Sequence, residues 1–585
     1  MIESEQKPAV QSLSVVLTGS GGSGVITAGT ILLEAAAKAG WYGLMTRSVG
    51  PQIRGGEAAA LIRLSTTPVS AQPDRHDLLI ALDWLNVQRF ADEMPLDQHS
   101  LVIGNSAQSD DVPEFIASSH VRRYDLDFKF MAKAIDGGRP NMIALGCVGK
   151  LIGLPDAALD AAVEQSIAKR GPDAVAASAA GVAAGRKAMT DMPTPATLAP
   201  GTADADGRWL ISGNEAAGMG AVRGGVRFVA AYPITPATEI LEWMAPALAK
   251  VGGNLVQAED ELASINMTIG GSFGGTPSLT ATSGPGLALM TEAIGLAVAS
   301  EVPIVVVDVM RGGPSTGIPA KSEQSDLNMA INGLPGDAPH IVVAPNSISD
   351  CLFTTQWAVH LAEAIQTPAL VLSDQSLGQA KAVIERPADL AFMARRLTAE
   401  TPEAGARYNR YADVASGISP MAVPGTPGCA YTADGLEHSP RGTPSSQAGD
   451  HLVQLEKRHR KTADFDYGDH WADSGGDGDS DTVILTWGSC TGAVREALAQ
   501  LDEGARSARY ISLRLLMPAP KEQLIAALEG AERLIVVEQT HSGQFLSYLR
   551  AHTGLTRDVE HWCHPGPLPL RPGDIRQLIL EGESS

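Results

Sequence analysis

Four short motifs between residues 213 and 327 decide how the chain is read: Tyr232-Pro233-Ile234-Thr235-Pro236, Gln257-Ala258-Glu259-Asp260-Glu261, Thr282-Ser283-Gly284-Pro285-Gly286 and Arg311-Gly312-Gly313-Pro314-Ser315-Thr316-Gly317. Each follows an apolar run, at 226–231, 254–256, 278–281 and 304–309, and three precede a segment of helical pattern. Apolar runs that end in such turns read as strands of an open parallel α/β sheet, whose ligand-binding edge lies outside the strand carboxyl ends. The candidate site is therefore expected in these four turns.

Upstream, a short strand at 14–17 runs into Gly19-Ser20-Gly21-Gly22-Ser23-Gly24 and then an Ala-rich helix at 25–39. A glycine loop of this kind lets backbone N–H groups approach an anion at a helix N-terminus. Glycine also serves simply to pack a helix tightly on a strand, so Gly19, Gly21, Gly22 and Gly24 carry two readings. No acidic residue ends a second strand as a nicotinamide site would require. Arg54-Gly55-Gly56-Glu57 precedes a strand at 58–64, another strand lies at 78–82, and 156–189 closes the region as helices. These patterns predict an α/β domain over 1–190, a Pro- and Ala-rich linker over 191–207 and a second α/β domain over 208–385. Turn clusters rich in Pro, Gly and Ser mark 386–478 as extended connector, and 479–585, with strands at 482–487 and 533–538, as a third α/β domain. No fixed-period repeat runs through the chain.

Length and charge exclude several classes. At 585 residues the chain is too long for one core. A net charge of -22, with no sustained run of Lys and Arg, excludes nucleic acid as a partner. No apolar run approaches the ~20 residues needed to span a bilayer, and the first residues lack a basic region followed by an apolar one, so no membrane association and a cytoplasmic location are expected. Cys147, Cys351, Cys429, Cys490 and Cys563 are scattered singly, without C-x-x-C spacing. Neither a disulfide framework nor an iron–sulfur or zinc ligand set is expected in this chain.

With these residues in place, the chain resembles the 2-oxoacid:ferredoxin (acceptor) oxidoreductases, in the form where the family's gamma and alpha parts are fused, and most resembles those acting on 2-oxoglutarate. Residues 19–29 and 49–56 are similar to the gamma part, and 213–327 to the alpha part. Segments 417–425 and 435–438, followed by Lys457-Arg458, also resemble the alpha part. The resemblance implies a gamma-type Rossmann-like domain, a thiamine diphosphate pyrimidine-type domain and a transketolase C-terminal-like domain. It implies oxidative decarboxylation of a 2-oxoacid with CoA to an acyl-CoA and CO2, with electrons passing reversibly to ferredoxin.

The same resemblance implies roles for the motifs. A carboxylate must hydrogen-bond the pyrimidine ring of thiamine diphosphate. Glu259, Asp260 and Glu261 all compete, and the family pattern, with Ala263 four residues on, selects Glu259; all three acids would also suit the first turn of a helix. Tyr232, Pro233, Ile234, Thr235, Ser283 and Gly284 are implied as cofactor-binding. Arg311 and Thr235 are implied as substrate-binding, since a guanidinium forks onto a carboxylate; a surface ion pair with Asp308 or Glu323 is the plainer reading of Arg311, and a helix cap that of Thr235. Gly19, Gly21, Gly22, Gly24 and Arg54 of the gamma part are expected to help bind CoA, whose phosphates suit a helix N-terminus and a guanidinium. One departure is Pro319-Ala320, where relatives commonly carry Pro-Thr. The family's Gly-Asp-Gly for Mg²⁺ has no counterpart here, because Gly476-Asp477-Gly478 lies in the connector without an apolar strand before it. The resemblance therefore assigns Mg²⁺, the pyrophosphate half of the site and a [4Fe-4S] cluster to a beta subunit, in an (alpha-beta)2 assembly. A pyruvate, branched-chain or indolepyruvate enzyme, and a scaffold without chemistry, are the competing readings.

Overall fold

The structure is a computed structural model and describes residues 9–50, 56–85, 87–192, 195–202, 207–502 and 506–581. It is α/β throughout, with three sheets of eight, seven and five strands. Two compact units divide it: 1–212 with 379–386 and 568–585, and 213–378 with 387–567.

In the first unit, the strand Ser12–Ser20 is buried from Leu13 to Gly19, as expected of a Val- and Leu-rich run covered on both faces. It pairs in parallel with Leu78–Ala81, which continues in parallel to Leu101–Asn105 and Arg122–Leu126. On its other side the sheet turns antiparallel through Glu57–Ser65, Tyr42–Val49, Lys381–Ile384 and Trp209–Ser212. The helix Val25–Lys38 buries Val25, Ala28, Ile31, Leu32 and Ala35, a stripe of helical period facing the core. Helices Pro140–Ile152, Asp156–Ile167 and Pro172–Ala188 complete this unit's main core. Residues 209–212 and 381–384, expected at the two ends of the second domain, are thus the last two strands of the first sheet, 209–212 at its edge, and the helix Pro572–Glu581 also belongs to the first unit.

The second unit holds the other two sheets. The seven-stranded sheet runs Leu515–Met517, Ile341–Val343, Ala369–Asp374, Val305–Met310, Ser278–Thr282, Phe228–Ala231, Asn254–Gln257, parallel except for Leu515–Met517. The five-stranded sheet runs Ala472–Gly476, Arg509–Leu513, Thr482–Trp487, Arg533–Glu538, Glu560–Cys563, parallel except for Ala472–Gly476. One apolar core joins Met290, Val306 and Leu370 to Trp487, Val536 and Phe545, so the second and third sheets fold around shared side chains.

Part of the connector is structured. The helix Ala448–Ala463 buries Gln454, Lys457, Arg458 and Lys461, a polar stripe at helical spacing. Fully buried Glu301 receives it: Lys457 Nζ lies 2.6 Å and Lys461 Nζ 3.3 Å from the Glu301 carboxylate, with Arg410 at 3.7 Å. Upstream, Arg396 forks onto Glu363 at 2.7 and 2.8 Å and donates to the Ser272 carbonyl at 2.6 Å. The helix Ala448–Ala463 is thus pinned by charge, while Met421 and Tyr467 anchor other parts of the connector in the apolar cores.

Candidate active site

The strands Val305–Met310, Ser278–Thr282, Phe228–Ala231 and Asn254–Gln257 are adjacent and parallel. Their carboxyl ends therefore deliver the four motifs side by side along one sheet edge.

At the second motif the three acids separate. Asp260 is the N-cap of the helix Glu261–Phe273, its carboxylate accepting from Ala263 N at 2.7 Å. Glu259 is exposed, whereas Glu261 is only 9% exposed. Glu261 packs on the first turn of the helix Gly284–Ala299, where a Cβ built on Gly286 would meet Glu261 Cγ at 2.9 Å and Thr282 Oγ1 at 2.0 Å. Beside it, the hydroxyl of buried Ser283, at the N-cap position of the same helix, has no hydrogen-bond partner among the described residues.

Arg311 is buried, not a surface residue, and its Nη1 donates to the Thr235 carbonyl at 2.5 Å. The first and fourth motifs are thus tied together. Thr235 itself is exposed, and its side chain does not cap the following helix, Thr238–Lys250, whose N-cap is Ala237. Tyr232 is exposed, with Pro233 and Ile234 half-buried beside it. Around the guanidinium lie Asp308 and Asp326. Burial, with Asp326 adding to it, pushes the Asp308 carboxyl well above the carboxylate range against the pull of Arg311. Burial likewise pushes Asp326 up to about 7, with Arg311 opposing and Glu323 reinforcing. Arg311 is lowered by burial and held up by Asp326 and Asp308. Arg311 Nε, both Asp308 carboxylate oxygens and Asp326 Oδ2 have no hydrogen-bond partner among the described residues. Together with Ser283 Oγ they make this sheet edge rich in unsatisfied polar atoms, the condition in which a polar ligand gains most from binding.

The first unit carries a separate cavity of about 1040 Å³. Ser20 to Thr27 line it together with Asn141, three basic residues, Lys129, Arg139 and Arg170, and three acidic ones, Asp83, Asp136 and Asp173. Gly24 adopts φ +84 and approaches so closely that a Cβ would stand 2.5 Å from Asn141 Nδ2, which donates to the Gly24 carbonyl. At Gly22 a side chain would meet nothing within 4 Å. Gly24 therefore has a packing reason to be glycine, while Gly22 faces open space but has a conformational one, its φ being +90. Gly19 lies at the end of its strand, where a Cβ would crowd Ser23 Oγ and Leu82, and Gly21 donates to the Gly56 carbonyl. Arg54 lies outside the described residues.

Among the described residues, no helix is long and apolar enough to cross a membrane. The family model described as pyruvate flavodoxin/ferredoxin oxidoreductase, thiamine diP-bdg, matches residues 219–457, and that described as pyruvate ferredoxin/flavodoxin oxidoreductase matches 14–188. The 2-oxoglutarate synthase subunit KorA of Methanothermobacter marburgensis is 35% identical over 381 residues, covering 64% of this chain and 98% of the relative. A 2-oxoacid:ferredoxin oxidoreductase subunit alpha of a Sulfolobus species is 28% identical over 611 residues, 94% of each chain. Among solved structures, the 2-oxoglutarate:ferredoxin oxidoreductase from Magnetococcus marinus, with 2-oxoglutarate, coenzyme A and succinyl-CoA bound, matches with a TM-score of 0.89 and 35% identity. That match covers 98% of this chain and 99% of the other. Matched at this identity over nearly all of a relative and of a solved structure, the chain belongs to the 2-oxoacid:ferredoxin oxidoreductases, a family of enzymes, as an alpha subunit.

Proposed function

We propose that this chain is the fused gamma–alpha subunit of a thiamine diphosphate-dependent enzyme that converts 2-oxoglutarate and CoA to succinyl-CoA and CO2, passing electrons to ferredoxin, and running reversibly in the cytoplasm. The observation that carries the reading is the row of four adjacent parallel strand ends, which brings Glu261, Ser283, Thr235 and Arg311 to one edge. The choice of 2-oxoglutarate over other 2-oxoacids is supported by the names of the KorA relative and of the Magnetococcus marinus enzyme.

The residues present fit the pyrimidine half of the cofactor: a buried carboxylate, an unsatisfied Ser283 hydroxyl and a glycine turn at Gly284–Gly286. When bound, thiamine diphosphate supplies the carbon nucleophile and the electron sink that decarboxylation needs. We assign the ring-bonding carboxylate to Glu261 rather than Glu259, because Glu261 is the acid held against the Gly286 turn and Glu259 points to solvent in this chain. Tyr232, Pro233, Ile234, Ser283 and Gly284 would shape the pocket around it. Arg311, fixed by the Thr235 carbonyl, holds a substrate carboxylate through its remaining donors, and the Thr235 hydroxyl lies beside it at the rim. In the first unit, the cavity beside the glycine loop is assigned to CoA: the loop at the start of the helix Val25–Lys38 and Lys129, Arg139 and Arg170 would receive its phosphates, away from Asp83, Asp136 and Asp173 in the same lining. Mg²⁺, the pyrophosphate contacts and a [4Fe-4S] cluster are assigned to a beta subunit, in an (alpha-beta)2 assembly.

The test is co-expression with the beta subunit and an assay of CoA-dependent reduction of ferredoxin. Turnover with 2-oxoglutarate at least tenfold above pyruvate and branched-chain 2-oxoacids supports the reading. Preference for another 2-oxoacid would move the substrate assignment and leave the family unchanged.

A further inference from the structure

At the carboxyl end of the five-stranded sheet, three chemically different donors converge. The parallel strands Arg533–Glu538 and Glu560–Cys563 pair in a register that sets Glu538 opposite Cys563 and Val536 opposite His561. Side chains alternate along a strand, so His561 and Cys563, two residues apart, leave the same face. Glu538 Oε1 lies 2.8 Å from His561 Nε2, and Cys563 Sγ lies 3.0 Å from that same nitrogen. All three donor atoms fall within 4.8 Å of one another.

We propose that Glu538, His561 and Cys563 form a binding site for a divalent cation of the zinc class. A thiolate, an imidazole and a carboxylate are the ligand set that suits zinc, with water as the fourth ligand of a tetrahedron. Two anionic ligands balance the charge of the ion. Donors about 2.0–2.3 Å from zinc stand about 3.3–3.7 Å apart, so the two short separations must open by roughly half an ångström to admit it. His561 and Cys563 have the room to do so, being only partly covered.

The surroundings favour a built site over a chance contact. Glu538 is fully buried and its carboxylate is already oriented: Oε2 accepts from Thr540 Oγ1 at 2.7 Å and Phe545 N at 2.8 Å, and Oε1 from Leu546 N at 3.1 Å. Such outer contacts fix a ligand's orientation and raise metal affinity. Gly543, at φ +71, lies under the imidazole, where a Cβ would stand 2.5 Å from His561 Cε1. The loop between the two strands is therefore shaped around the ring. A simple Glu538–His561 hydrogen bond is the alternative that the experiment must separate.

Full-length chain stripped with a chelator is titrated with Co²⁺ and followed by absorption. The expected result is one cobalt per chain, with a thiolate-to-cobalt charge-transfer band and intense visible bands of four-coordination, both bleached by Zn²⁺. Cys563→Ser should abolish the charge-transfer band, and His561→Asn should weaken binding at least tenfold. On the unmutated chain, Zn²⁺ should slow alkylation of Cys563, the one cysteine of the five that is not buried, at least tenfold. No stoichiometric binding, a charge-transfer band that survives in folded Cys563→Ser, or alkylation indifferent to Zn²⁺ would overturn the proposal and leave only the hydrogen bond. These readouts need no beta subunit, no thiamine diphosphate and no turnover.

Discussion

A Cβ built on Gly286 would stand 2.9 Å from Glu261 Cγ and 3.1 Å from its Oε1, so the glycine and the carboxylate occupy one fitted space. That relationship ranks the neighbouring acids. In the enzyme reconstituted with its beta subunit, Glu261→Gln is expected to lower turnover by about a hundredfold or more, the range of a lost proton-transfer group. Glu259→Gln should stay within a few-fold of the parent. Gly286→Ala should displace both Thr282 and Glu261 and lower turnover as well. Turnover rates of the three variants, with melting temperatures as a control, decide it, and the reverse order for the two acids would return the role to Glu259.

Arg311→Lys keeps the charge but loses the fork, and a lysine cannot at once reach the Thr235 carbonyl and grip a carboxylate in two places. The specificity constant for the 2-oxoacid should fall roughly tenfold to a hundredfold, while the Michaelis constants for CoA and ferredoxin stay unchanged. Equal losses for all three substrates would show that Arg311 supports the fold alone.

Three of the four strand ends were legible because parallel strands buried on both faces leave apolar runs, whereas Asn254–Gln257 is an exposed edge strand marked mainly by the distinctive turn that follows it. The choice among Glu259, Asp260 and Glu261 was not, because it depends on which face of the helix Glu261–Phe273 meets the helix Gly284–Ala299, a tertiary fact. The helix Ala448–Ala463 escaped the hydrophobic-period reading since its buried face is Gln454, Lys457, Arg458 and Lys461. Cys563 carries no paired-cysteine spacing either, because its neighbours in space are a histidine two residues away and a glutamate from another strand. Chain order also hid that 209–212 and 381–384 would leave the second domain for the first sheet.

Asp326 adds a pH dependence with a definite sign. Its carboxyl is pushed up to about 7 by burial, so it is neutral in acid and ionises near neutrality. Ionisation places a negative charge beside Arg311 and opposes the incoming 2-oxoacid carboxylate. The specificity constant for the oxoacid should therefore fall as pH rises through about 7, and Asp326→Asn should flatten that limb. Stability carries the same sign: a folded-state pKa above the unfolded value of 3.8 contributes stability that is complete below 3.8 and is lost as pH rises through about 7. The melting temperature of Asp326→Asn should thus gain on the parent between pH 4 and 8. A constant offset across that range would remove Asp326 as the titrating group.

Glu301 is the single carboxylate among three buried cations, and its removal should be felt well beyond one ion pair. Burial by itself would raise its carboxyl, but Lys461, Lys457 and Arg410 outweigh burial and hold it well below the usual range. Its contribution is therefore present above the unfolded carboxylate value and is lost only as pH falls into strong acid. Lys461 behaves oppositely, burial bringing its ammonium down to about 7 although Glu301 supports its charge. Glu301→Gln leaves Lys457 and Arg410 buried without their counter-charge and drives Lys461 further toward its neutral form, and a broken buried pair of this kind costs about 3–5 kcal/mol. Because two of these cations lie on the helix Ala448–Ala463, the loss should first loosen the connector, seen as faster hydrogen exchange over 448–463 at unchanged exchange in the first unit. Lys461→Met removes the buried amine that Glu301 supported. The double variant Glu301→Gln, Lys461→Met should then be more stable than Glu301→Gln alone, with a coupling energy of about 1–3 kcal/mol from the double-mutant cycle. Additive effects in that cycle would mean that the two side chains act independently and that the connector is held by its other contacts, chiefly Arg396 on Glu363 and Arg458 on Glu437.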